Sequence, residues 1–139
     1  MNASHDESVP ADMAPLADAA VAAARRAYAP YSKFHVGCAL RTMEGNVFVG
    51  CNVENASYGL TICAERNAIA AAVAEEGAGM RIAALAVWVD ASETFPPCGA
   101  CRQVIAEFAG PDVPVLYHAA GRAPVRTSVG ELLPQAFRL

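Results

Sequence analysis

Arg81-Ile82-Ala83-Ala84-Leu85-Ala86-Val87-Trp88-Val89-Asp90 is the stretch that decides the architecture. A strand with one face in water alternates apolar and polar residues. This run does not alternate, so it predicts a strand covered on both faces, as strands of parallel sheets are. Its flanks agree. Ala64 to Glu76 reads as an alanine-rich helix closed by Gly77. Cys98 to Phe108 reads as a second helix, with Val104, Ile105 and Phe108 on one side and Gly110-Pro111 at its end. Val113 to Tyr117 is a further short buried strand. Strands and helices in alternation imply right-handed crossovers with helices on the sheet faces, an α/β class.

Outward from this centre the pattern continues. Met13, Leu16, Ala20, Ala24 and Ala27 recur at helical spacing between about Asp12 and Tyr28, and Ala29-Pro30-Tyr31-Ser32 ends that helix. His35 to Thr42 and Val47 to Asn52 read as strands joined by a hairpin turn at Glu44-Gly45-Asn46. A last strand near Val125 leads into Ser128-Val129-Gly130-Glu131, which has capping-box spacing for a short terminal helix. Residues 1–11 form a polar tail, and 12–139 form one domain.

At 139 residues and 55% apolar content, the chain is long enough for a core without staples. No apolar run reaches the roughly 18 residues of a membrane span. Met1 to Glu7 is polar and acidic, unlike a secretory signal, so a cytoplasmic location is expected. The net charge of −4, with nine arginines and the single Lys33 scattered, argues against a nucleic-acid partner. The five cysteines are then not expected to form a disulfide framework.

Three of those cysteines carry chemistry. Cys98-Gly99-Ala100-Cys101 alone fits a redox pair or structural zinc. Cys63 with Glu65 shifts the balance, because three thiolates fill three tetrahedral positions and leave a fourth open for water. Cys38 and Cys51 lie in strand-like segments and read as small buried apolar residues. His5, His35 and His118 lack ligand spacing to the cysteines. Cys63 and Cys98 both fall where a loop becomes a helix, and a helix N-terminus favours thiolate over thiol. Three thiolates on a dication leave net negative charge, which Arg66 can offset by donating to ligand sulfurs. A solvated arginine is the plain alternative for Arg66 and for Arg102.

Four motifs occur in order: Tyr28-Ala29-Pro30-Tyr31-Ser32-Lys33-Phe34-His35-Val36-Gly37, Cys51-Asn52-Val53-Glu54-Asn55-Ala56-Ser57-Tyr58-Gly59-Leu60, Cys63-Ala64-Glu65-Arg66 and Pro97-Cys98-Gly99-Ala100-Cys101-Arg102-Gln103. Together they resemble the small homotetrameric cytidine deaminases, from about residue 14 to 137. Zinc deaminases carry either histidine or cysteine as their first ligand. The resemblance implies a three-layer α-β-α fold around a mixed five-stranded sheet. It implies one zinc ion per chain, on Cys63, Cys98 and Cys101, and hydrolysis of cytidine and deoxycytidine to uridine and deoxyuridine plus ammonia. In that family's mechanism zinc-bound hydroxide attacks C4, with Glu65 as proton shuttle.

By the same resemblance, the Ala64 N–H binds the base carbonyl, Asn52 and Glu54 bind ribose hydroxyls, and Phe34 contacts the pyrimidine. Phe137 stacks on the base in a neighbouring subunit's site of a homotetramer; packing within its own chain is the alternative. A carboxylate at Glu54 would repel a nearby phosphate, which favours a free nucleoside. Phe95-Pro96 departs from the small polar residues of many relatives and is read as a loop beside the site without a functional residue. A blasticidin-type deaminase shares the cysteine segments and the size. A non-catalytic zinc module is the alternative from a different class.

Overall fold

The apolar run becomes β3 (Ile82–Val89), the middle strand of a five-stranded sheet, in a computed structural model that describes residues 9–139. Of the expected tail over 1–11, residues 1–8, including His5, lie outside the described residues. The other elements are α1 (Ala14–Ala24), β1 (Val36–Thr42), β2 (Val47–Cys51), a 3-10 turn at Tyr58–Leu60, α2 (Ala64–Glu76), α3 (Gly99–Phe108), β4 (Pro114–Ala119), β5 (Val125–Ser128) and α4 (Val129–Leu132). The strand order is β2-β1-β3-β4-β5. Only β3 and β4 run parallel; every other neighbouring pair is antiparallel.

Both faces of β3 are covered, as its composition demands. Leu85 and Val87 join Cys38 and Leu40 of β1 and Val115 of β4 beneath α2 and α3. Ala84 and Ala86 face the opposite way, with Ala39 and Leu116, toward Leu16, Ala17 and Ala20 of α1. This makes three layers. The small residues set the spacing on both sides. A Cβ on Gly37 would lie 1.9 Å from the Ala20 carbonyl oxygen, and one on Gly50 2.4 Å from the Ala68 nitrogen. Glycine at these two positions therefore lets α1 and α2 approach the sheet backbone.

One helix end moves. The helix expected to reach Tyr28 ends at Ala24, because Tyr28 donates to the Asn52 carbonyl at 3.0 Å and accepts from the Glu54 N–H at 2.8 Å. Ala29, ahead of Pro30, is moreover disfavoured in a helix. The hairpin turn forms as expected, with Gly45 at φ 93°. Ser128 caps α4 by accepting from the Glu131 N–H at 3.2 Å. No helix among the described residues is long and apolar enough to cross a membrane.

Candidate active site

Cys63 and Cys98 are the N-cap residues of α2 and α3, so two helix N-termini converge beside the carboxyl end of β3. A helix presents its unpaired N–H groups there. Cys98 Sγ accepts from the Cys101 N–H at 3.4 Å, which fixes the spacing of the Cys-x-x-Cys pair. The sulfurs of Cys63, Cys98 and Cys101 all lie within 4.8 Å of one another, and those of Cys63 and Cys98 are 4.0 Å apart.

This donor set fits zinc. Tetrahedral bonds of about 2.3 Å put neighbouring sulfurs roughly 3.8 Å apart. Among the described residues, no other group of three histidine, cysteine or acidic side chains gathers in this way. No fourth histidine, cysteine or acidic side chain among the described residues joins the three sulfurs, and Cys63 and Cys98 line the adjoining cavity. Cys38 is fully buried, as expected, and burial holds its thiol protonated. Cys51 is only half-buried. His35 precedes β1, and His118 is buried on β4 among the residues facing α1.

Glu65 sits in the first turn of α2 and is 4% exposed. Burial pushes its carboxyl up to about 7, and the neighbouring Cys63 sulfur adds to the rise. A carboxyl poised near neutrality is suited to taking and giving protons. Arg66 Nη2 donates to Cys63 Sγ at 3.2 Å, so the reading of a merely solvated arginine gives way to a sulfur contact. Cys63 is drawn down to about 5, first by its hydrogen bond with Cys101 and then, against burial, by the Arg66 guanidinium. Arg102 does other work: its Nε donates to the Pro97 carbonyl at 2.7 Å and its Nη1 to the Leu132 carbonyl at 3.0 Å.

A cavity of about 270 Å³ opens over these groups. Phe34, Asn52, Ala64 and Glu65 line it together with Cys63 and Cys98. Val87 and Val89, on one face of β3, complete its inner wall, a placement that strand alternation encodes. Glu54 lines an adjoining pocket of about 310 Å³, with Thr61 shared between the two.

Asn52 and Glu54 are also structural anchors. Asn52 Oδ1 accepts from the Val36 N–H at 2.9 Å, and its Nδ2 donates to the Phe34 carbonyl at 2.8 Å. Glu54 accepts from the backbone N–H groups of Tyr31 and Ser32 and from the Ser32 hydroxyl. That hydroxyl, above all, holds the Glu54 carboxyl below its ordinary range. The two residues thus brace the turn that carries Phe34, including Lys33 at φ 65°.

Phe137 lies outside its own chain's cavity; it is 68% exposed, and its carbonyl accepts from Gln103 Nε2 at 3.1 Å. One expectation changes. Phe95 and Pro96, read from sequence as a bystander loop, line the cavity, with Phe95 edge-on to Phe34. An aromatic residue two positions before Pro97 is the only sequence signal for this, and nothing local gives its direction.

Comparison with known proteins agrees with this geometry. The profile described as "Cytidine and deoxycytidylate deaminase zinc-binding region" matches residues 12–117. A cytidine deaminase of Halalkalibacterium halodurans is 48% identical over 119 residues, 85% of this chain and 88% of that one. The crystal structure of a Burkholderia pseudomallei cytidine deaminase superposes with a TM-score of 0.82 at 50% identity, covering 89% of this chain and 98% of that one. A blasticidin-S deaminase of Bacillus cereus is more distant, 33% identical over 109 residues, 74% of this chain and 76% of that one.

Proposed function

The chain belongs to the cytidine and deoxycytidylate deaminase family, and from that premise we propose that it hydrolyses cytidine and deoxycytidine to the corresponding uridines and ammonia. The observation that carries this reading is a buried carboxyl, Glu65, that lines one cavity with two of three clustered cysteines whose sulfurs would hold zinc. Zinc held by Cys63, Cys98 and Cys101 supplies, when bound, a Lewis acid that makes a water at that position more acidic.

The chain's own groups do the rest. Glu65 accepts a proton from the attacking water and delivers one to pyrimidine N3, which makes C4 electrophilic. After addition at C4, Glu65 takes the proton of the new C4 hydroxyl and passes it to the amine as the C4–N bond breaks, so water and cytidine become uridine and ammonia. The Ala64 N–H, in the unpaired first turn of α2, receives the base carbonyl. Arg66 offsets the excess charge of three thiolates through its contact with Cys63.

Asn52 and Glu54 take the ribose hydroxyls with the hydrogen-bonding capacity that remains beyond their backbone contacts. The ionised Glu54 favours a nucleoside over a nucleotide. Phe34 packs on the base. The catalytic domain spans 12–139, and its setting is pyrimidine nucleoside salvage in the cytoplasm. Phe137, exposed and outside its own cavity, serves a neighbouring subunit's site in a homotetramer.

The test is the ultraviolet absorbance of purified protein mixed with cytidine, with metal measured on the same sample. Conversion to uridine with about one zinc per chain is expected. Turnover of blasticidin S without turnover of cytidine would replace the substrate, and zinc without either activity would reduce the site to a structural one.

A further inference from the structure

The connection from β3 to α3 is tied down at both ends. Near its start, Arg122 Nε donates to the Ser92 carbonyl at 2.7 Å, and the same guanidinium pairs with Glu93. At its end Arg102 holds the Pro97 carbonyl, and Pro96 and Pro97 have their φ angles set by their rings. Phe95 lies between these anchors. Its ring centroid is 6.0 Å from that of Phe34, with 60° between the planes. The Phe34 side is fixed too, by Asn52 and by the Ser32 hydroxyl that accepts its N–H at 3.0 Å.

Both rings are 49% exposed, yet both line the cavity above the cysteines and Glu65. Two rings packed only for stability would bury more of their surface. Rings at 60° do not sandwich a ligand; they form a corner that offers a flat heterocycle one aromatic face and one aromatic edge. Neither ring has a polar atom, so the corner suits the plane of a base, while Glu65 and the Ala64 N–H meet its polar edge.

Resting on the nucleoside-deaminase reading, we infer that Phe95 is a substrate-binding residue that forms, with Phe34, an aromatic corner seating the pyrimidine ring over the zinc site. Phe95 carries no titratable group. Its loss therefore weakens binding and leaves the proton chemistry untouched.

Wild type, Phe95→Ala and Phe95→Tyr are compared by calorimetric titration with uridine, by cytidine kinetics and by zinc content. In Phe95→Ala both the uridine Kd and the cytidine KM should rise about 5- to 50-fold, the range for a lost base–aromatic stack. Its kcat should stay within about 3-fold and its pH profile unchanged, while Phe95→Tyr, which keeps the ring, should stay within about 2-fold of wild type throughout. If Phe95→Ala does not fold, Phe95→Leu reads the same loss with apolar bulk retained. An unchanged Kd with normal zinc and melting temperature overturns the inference. So does a loss of zinc, which would mean that Phe95 only supports the Cys98 segment. Wild type that binds uridine but does not deaminate cytidine would sink the proposed function and leave the corner standing; wild type that does neither would sink both.

Discussion

The floor of the cavity is built on two helix N-termini, whereas its mouth is built on loops. At the floor, Glu65 and Cys101 are buried within α2 and α3, and Cys63 and Cys98 cap those helices. Regular structure dictates where these groups stand. At the mouth, Phe34 and Phe95 are half exposed, and Phe137, outside this cavity, is more so. They are placed by side chains reaching distant backbone: Asn52 and Glu54 to the 31–36 turn, Arg102 and Arg122 to the 92–97 loop, and Gln103 to the C-terminal segment. The difference teaches that, on the proposed function, the reactive groups stand on regular structure while substrate affinity depends on many weaker long-range ties. Changes at the floor should therefore cost turnover or folding, and changes at the mouth should cost affinity.

The sharpest division comes from Glu65→Gln. It should lower kcat by about 10²- to 10⁴-fold, the usual worth of a general acid–base, with zinc content and melting temperature preserved. Normal turnover in that variant would erase the special status of the floor. Gly50→Ala places a methyl against backbone atoms of α2 at 2.4 and 2.6 Å, and backbone does not yield as a flexible side chain does. A loss of about 2–4 kcal/mol in denaturant unfolding is expected, larger than any single change at the mouth.

The metal-free protein should also report the burial of Glu65. With a folded value of about 7 against an ordinary 4.5, this carboxyl binds its proton more tightly in the folded chain. Its favourable contribution is complete below pH 4.5 and is lost as the pH rises through about 7. Wild type without metal should thus lose up to about 3 kcal/mol of stability relative to Glu65→Gln between pH 4.5 and 8. Parallel stability curves for the two proteins would show that Glu65 is not desolvated.

Effects outside the floor should be milder. Phe137→Ala should raise KM about 5- to 10-fold with little change in kcat, a loss within the range for removing a base-stacking ring. An unchanged KM would assign Phe137 to packing within its own chain. The smallest expected effect is that of Arg122→Ala. Its ion pair with Glu93 is half exposed, and such pairs contribute at most about 1 kcal/mol. A rise in KM of no more than about 5-fold should follow, and any fall in zinc content would break the separation of mouth from floor.

The floor was legible before any coordinates. Cys-x-x-Cys at a helix start, a third cysteine at another helix start and an acidic residue two positions later are local patterns, and local patterns survive folding unchanged. The covered strand was legible for the same reason, since an unbroken apolar run has one economical environment. Less was legible around Tyr28, where helical spacing continued but pairing with residues 52–54 took the backbone instead. The mouth was read through family motifs for Phe34, Asn52 and Glu54. Even there the bracing of the Phe34 turn by the latter two could not be seen, because it joins residues 16 to 23 positions apart.

By itself, then, the sequence determined the α/β order, the two-faced central strand and the two helix starts that carry Cys63, Glu65, Cys98 and Cys101. Periodicity and helix capping are set by neighbours within a few residues. Only the tertiary structure decided that Phe95 faces the cavity and that Glu54 lies in the pocket beside it. Those positions follow from hydrogen bonds such as Arg122 to Ser92, formed between segments 30 residues apart. Such bonds exist only after the sheet and its helices have brought the segments together.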